Sequence, residues 1–131
     1  MKTNELKCTD LRIGNYALFH NVRYKIVEIE RDRVVIEYHN GETDYCYIYY
    51  IEPIELTEEL LVNIGFEGEM YEFCLHTKDA NIIVNLIENR VEISYFGNGY
   101  PELLIKYNVK YLHQLQNALY LLTNEELEVE S

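Results

Sequence analysis

Tryptophan is absent from this chain, proline occurs twice and glycine six times in 131 residues. Basic residues are also scarce: 11 Lys and Arg stand against 23 Asp and Glu, a formal charge of −12. Duplex nucleic acid and anionic membranes are bound largely by neutralising phosphates, so this balance argues against both as partners. No run of about 18 apolar residues occurs, which leaves no candidate for a membrane-spanning helix. The three cysteines, Cys8, Cys46 and Cys74, are odd in number and far apart, without a Cys-x-x-Cys pair. Neither a disulfide framework nor a zinc cage is expected from them, and reduced thiols in a cytoplasmic protein are. Ser94 and Ser131 are the only serines, and neither lies in a nucleophile elbow.

What the chain has in quantity is tyrosine, 13 residues beside 4 phenylalanines. Much of its apolar area therefore sits in rings whose hydroxyl needs water or a partner, as in a tyrosine-rich β protein. The length suits one domain that needs no disulfide or metal to fold.

Strand signals come first. Leu11-Arg-Ile-Gly-Asn15 supplies turn residues ahead of Tyr16–His20, and His20-Asn21 turns the chain into Arg23–Ile29, where alternation places Tyr24 and Ile26 on one face and Val27 and Ile29 on the other. Val34–Tyr38 follows, then Asn40-Gly41, a strong hairpin signal, and a strand Tyr45–Tyr50. Residues 1–56 thus read as an SH3-like small barrel or meander. Residues 57–66 read as a connector helix with Thr57 as N-cap, Glu58 and Glu59 at the positive end of the dipole, and Gly65 as the stop.

Residues 67–123 read as a second antiparallel sheet with one C-terminal helix. Its strand candidates are Met70–Leu75, Ala80–Ile87, Arg90–Phe96 and Glu102–Lys106, and the helix runs from about Lys110 to Thr123. Leu112, Leu115, Leu119 and Leu122 recur at helical spacing and suit packing on the sheet or on a second copy in a homodimer. Residues 124–131 form an acidic tail. The expected class is α+β, mostly β.

Alternation in Tyr45–Tyr50 places Tyr45, Tyr47 and Tyr49 on one face, where a row of phenols can anchor a protein or stack on a base; tyrosines capping a small core with wet hydroxyls have the same pattern. Tyr95-Phe-Gly-Asn-Gly-Tyr100-Pro101 presents Tyr95 and Tyr100 near a glycine-rich tip, which is also an ordinary hairpin turn. His113 stands with Gln114, Gln116 and Asn117 on a polar helix face. Cys74-x-His76 offers two soft ligands on one strand face, short of the three or four a zinc site needs. No catalytic residue, metal or cofactor is expected, and the carboxylates read as solvent-side partners of apolar positions.

Six strings, Asn4-Glu-Leu6, Leu11-Arg-Ile-Gly-Asn15, Ile51-Glu-Pro-Ile-Glu-Leu-Thr-Glu-Glu59, Ile64-Gly-Phe66, His113-Gln-Leu-Gln-Asn117 and Leu122-Thr-Asn-Glu-Glu-Leu127, cover nearly the whole length in order. On these the chain resembles an uncharacterised family of small proteins encoded by gut Bacteroidales and their phages and prophages, crAss-like phages among them. The family pattern has a valine before the histidine and a glycine after the last threonine, where this chain has Leu112 and Asn124. Asn also takes the left-handed conformation that ends a helix, so the stop is retained. The resemblance implies a phage or mobile-element setting and no particular activity.

Together these features lead to the expectation of a small cytoplasmic, non-enzymatic binding protein that engages a protein partner through tyrosine-rich surfaces, with counter-defence as a plausible purpose. A nucleotide sponge or sensor, with Arg12, Arg23, Arg31, Arg33 or Arg90 meeting phosphate, is the rival reading. A virion or cargo component is the third.

Overall fold

A computed structural model of the chain describes residues 6–96, 103–124, 126 and 127. The fold is α+β and mostly β, with two antiparallel sheets and two α-helices. It divides into two compact units. The first comprises the chain up to Ile54 together with Tyr111–Asn117, and the second comprises Glu55–Lys110 with the chain from Ala118 onward.

The first unit is a four-stranded meander of β1 (Tyr16–Phe19), β2 (Val22–Ile29), β3 (Arg33–Glu37) and β4 (Thr43–Tyr47), paired in that order. Its turns follow local chemistry. His20 and Asn21 both take positive φ, 51° and 61°, as a two-residue hairpin twisted to match its strands requires. Beyond β3 the Gly41 N–H donates to the Tyr38 carbonyl, and Gly41 takes the left-handed conformation with φ of 88°. The side chain of Asn40 closes the same turn by accepting from the Glu42 N–H at 3.0 Å.

The expected faces of β2 need a correction. A bulge at Val27 shifts the register between Ile26 and Glu28, so Ile26 pairs with Ile36 and Ile29 with Val34. One extra residue reverses the alternation and brings Ile29 to the side of Ile26. The resulting core gathers Leu6, Leu11, Ala17, Ile26, Val34, Ile36, Cys46 and Ile51, with Tyr24, Ile29 and Ile48 packed against it. The sheet is open rather than a closed barrel: after β4 a 3-10 turn, Ile48–Tyr50, leads to Glu52, whose one bridge to Leu18 of β1 is made by two 2.8 Å hydrogen bonds.

In the second unit α1 (Glu58–Ile64) starts where Thr57 Oγ1 accepts from the Leu60 N–H at 3.2 Å and ends at Gly65, whose φ is 122°. The N–H groups of Gly65 and Phe66 both reach the Leu61 carbonyl, which satisfies the last turn. Five strands follow: β5 (Glu67–Glu69), β6 (Glu72–His76), β7 (Ala80–Asn85), β8 (Arg90–Tyr95) and β9 (Leu103–Asn108). The strand expected from Met70 is instead a turn at Met70 and Tyr71, with Met70 at φ of 62°. Gly68 makes this hairpin possible, because a Cβ there would run into the Glu72 carbonyl and the Phe73 backbone. Alternation buries Phe73, Ala80, Ile82, Val84, Val91 and Ile93 on one face.

Helix α2 (Leu112–Thr123) begins two residues later than expected. Leu112, Leu115 and Leu119 are buried within the chain, so they are not a free seam for a second copy, while Leu121 is exposed. Asn124 ends the helix at φ of 59°, its N–H donating to the Tyr120 carbonyl. No helix among the described residues is long and apolar enough to cross a membrane.

Candidate binding site

The first unit places its rings by strand parity. Val34, Ile36 and Cys46 point into the core, so their neighbours Arg33, Val35, Tyr45 and Tyr47 leave by the opposite face, where register pairs Val35 with Tyr45 and Arg33 with Tyr47. At Tyr47 the strand ends. The Ile48 N–H donates to the Asp32 carbonyl at 2.7 Å, and the chain winds into the 3-10 turn that keeps Ile48 against the core. Strand alternation through Tyr50 would have turned that ring inward. The turn instead sends both Tyr49 and Tyr50 out, leaving Tyr45, Tyr47, Tyr49 and Tyr50 at 56%, 45%, 57% and 55% exposure.

These rings are ordered against one another. Tyr47 and Tyr49 stack with centroids 5.6 Å apart and planes within 14°, and Tyr49 meets Tyr50 at 4.4 Å. The Arg33 guanidinium lies 5.0 Å from the Tyr45 centroid while pairing with Glu30 at 2.9 Å. A hydrogen bond with Tyr50 is the main cause raising the Tyr49 hydroxyl above the ordinary phenol range, helped by burial and by the charges of Tyr50, Tyr47 and Asp32. Near neutral pH the Tyr49 hydroxyl is therefore a neutral phenol. Such a patch can contribute apolar area and directional hydrogen bonds at low cost in side-chain entropy.

The remaining candidates lie elsewhere. Tyr95 is half-buried on β8, where register aligns it with Ala80 on the inward face of the second sheet. Tyr100 and Pro101 lie outside the described residues. His113 is 4% exposed and so does not display a polar helix face; its ring stacks on Tyr111 at 5.9 Å. Burial pushes its imidazole below the ordinary value against a smaller opposing pull from Asp10, and Nδ1 is buried with no hydrogen-bond partner among the described residues.

Beside His113 stands a feature that residue-by-residue reading misses. Gln116, fully buried, accepts from the Tyr16 N–H at 3.0 Å and donates to the Gly14 carbonyl at 3.1 Å. Asn117 accepts from Asn15 at 2.8 Å and from Arg12 Nε at 3.3 Å, while its amide donates to the Asp10 carbonyl. Asn15 Oδ1 in turn accepts from the Arg12 N–H at 2.6 Å. The strings Leu11–Asn15 and His113–Asn117 are thus two sides of one clamp. Its polar groups are spent on each other, which makes it a structural device rather than a ligand site.

Cys74 Sγ and His76 Nε2 approach to 3.6 Å, but no group of three or more His, Cys, Asp or Glu positioned to hold an ion occurs among the described residues. An indentation lined by Thr77, Ile82, Leu119, Thr123, Glu126 and Leu127 has a volume of about 30 Å³, far below that of a small-molecule pocket. Comparison with protein-family models, with curated proteins and with solved structures finds no match to this chain.

Proposed function

We propose that the chain is a cytoplasmic binding protein whose contact surface is the ring cluster Tyr45, Tyr47, Tyr49 and Tyr50, and that its partner is a protein. One observation supports this most: four consecutive tyrosines of one hairpin corner stand about half exposed, held by a strand and a 3-10 turn instead of a loose loop. Solubility needs no such patch on an acidic surface, whereas rigid aromatic anchors dominate binding energy in protein interfaces. The acidic balance favours a partner with basic groups around an apolar centre. The resemblance adds a phage or prophage setting, in which host modulation or counter-defence is a natural use. An SH3-like fold for the first unit is supported by the way β4 leaves through a 3-10 turn and the chain returns to β1 at Glu52.

The nucleotide reading draws on the same rings, but their spacing does not help it. A base sandwiched between Tyr47 and Tyr49 needs about 7 Å between ring planes, twice the contact distance, and their centroids are 5.6 Å apart. Of the arginines available for phosphate, Arg33 pairs with Glu30, Arg90 with Glu88 and Glu92, and Arg12 binds within the clamp.

The experiment is parallel affinity capture from host lysate with the wild-type chain and a Tyr47→Ala/Tyr49→Ala bait, joined to calorimetry with cyclic and linear nucleotides. A protein retrieved by the first bait and lost with the second is the expected result. Equal retrieval by both, or heat with nucleotides at micromolar concentration, would overturn it.

A further inference from the structure

The outer face of the second sheet brings together three side chains that the binding reading leaves unused. On β6, Cys74 and His76 are two residues apart and so leave by the same face, and β7 returns to pair Asn81 directly with His76. His76 Nε2 lies 3.6 Å from Cys74 Sγ, and His76 Nδ1 lies 2.6 Å from Asn81 Oδ1. An amide oxygen only accepts, so the proton of the second bond sits on Nδ1 and the lone pair of Nε2 faces the thiol. Thiol, imidazole and amide stand in the order nucleophile, base and orienting group, the relation by which unrelated folds activate a cysteine.

The neighbours define what can approach. Register sets Ile83 beside Cys74 and Ser94 beside Asn81, with Leu104, 56% exposed, next in that row. Glu67 of β5 pairs with Cys74 on its other side, Glu72 precedes it on β6, and beyond Ile83 Glu92 is answered by Lys106 at 3.5 Å. An incoming group therefore meets apolar side chains within a negative border. Burial and then the charges of Glu72 and Glu67 raise the Cys74 thiol above its ordinary range, so thiolate is scarce near neutrality. A reaction there needs a base to take the proton as sulfur attacks.

We propose that Cys74 is an acyl-accepting nucleophile with His76 as its general base and Asn81 as the positioning residue, and that its donor is an uncharged, apolar activated ester or thioester. In the step the Sγ–C bond forms as the bond from the acyl carbon to its leaving group breaks. The Sγ proton passes to His76 Nε2 and then to the departing alkoxide or thiolate. The products are the Cys74 thioester and a free alcohol or thiol, with no change of oxidation state. The first unit's ring cluster takes no part in this chemistry, so either proposal can fail alone.

The test treats the full chain with p-nitrophenyl acetate, follows nitrophenolate release, and maps the acetyl group by peptide mass spectrometry. At about pH 7 acetylation falls on Cys74 ahead of Cys8 and Cys46. His76→Gln slows it about 100-fold, the scale of general-base assistance, while at about pH 10.5, where thiols ionise unaided, the variant stays within about twofold of wild type. Asn81→Ala slows the neutral reaction about tenfold, and Asn81→Asp, which keeps an acceptor for Nδ1, restores it. A urea midpoint unchanged from wild type in each variant reports that the variants are folded. Cys74 reacting no faster than Cys8 near neutrality, or His76→Gln changing both rates equally or neither, would overturn the proposal.

Discussion

In the first unit the solvent side of the sheet ends in Tyr45, Tyr47, Tyr49 and Tyr50, and the segment leading into β1 is tied to α2 by the polar clamp of Asn15, Gln116 and Asn117. The second unit differs on its outer face. Its inner face is a continuous apolar layer from Phe73 through Val84 and Val91 to Ile93, and its outer face carries the ion pairs of Arg90, Glu92 and Lys106. Both sheets are antiparallel meanders with one face buried, so the contrast does not come from topology. Each sheet already has an apolar layer, and outside it the second carries Arg90, Glu92 and Lys106 beside Ile83 and the exposed Leu104. Rings left in water on the first are not a folding requirement, which is why they are assigned to binding.

The contrast can be broken first at the second unit's interior. Phe73→Ala removes a fully buried ring and should cost about 3–5 kcal/mol, read as a lowered urea midpoint. In the first unit Gln116→Ala should cost about 3 kcal/mol, because the Tyr16 N–H and the Gly14 carbonyl lose their partner. A loss under about 0.5 kcal/mol at Gln116 would show that the clamp is not what secures that unit.

A pH series sharpens the same point. His113 is held below its ordinary value by burial, so its contribution to stability is complete above about pH 6.5, the unfolded value, and is lost as pH falls through the lower folded value. The expected result is a decline in urea midpoint on acidification below about pH 6.5 that is reduced in His113→Leu. Parallel declines in the two chains would contradict it. Thr57→Ala, which removes the cap of α1, should cost about 1 kcal/mol by the same assay.

Local chemistry carried most of what the sequence disclosed. Thr57 and Gly65 bound α1, Gly41 turns β3 into β4, and Asn124 takes the left-handed stop that asparagine tolerates. The misread positions depend on tertiary context. The bulge at Val27 is invisible to a period-2 pattern, β5 is short, charged and without an apolar signature, and Tyr50 faces outward only because the strand ends three residues earlier. His113 looked like a surface residue among Gln and Asn because its helix buries polar side chains in a clamp that no single segment reveals. The association of Cys74, His76 and Asn81 was half visible: the Cys-x-His spacing is in the sequence, but Asn81 arrives only through the register of β7.

The ring cluster is tested most directly by titrating the partner retrieved in lysate capture against the wild-type chain and the Tyr47→Ala/Tyr49→Ala chain, with the urea midpoint of each recorded. Affinity should fall at least about 30-fold, or about 2 kcal/mol, while stability stays within about 0.5 kcal/mol because both rings are exposed. Equal affinity for the two chains would contradict the assignment of this corner as the contact surface.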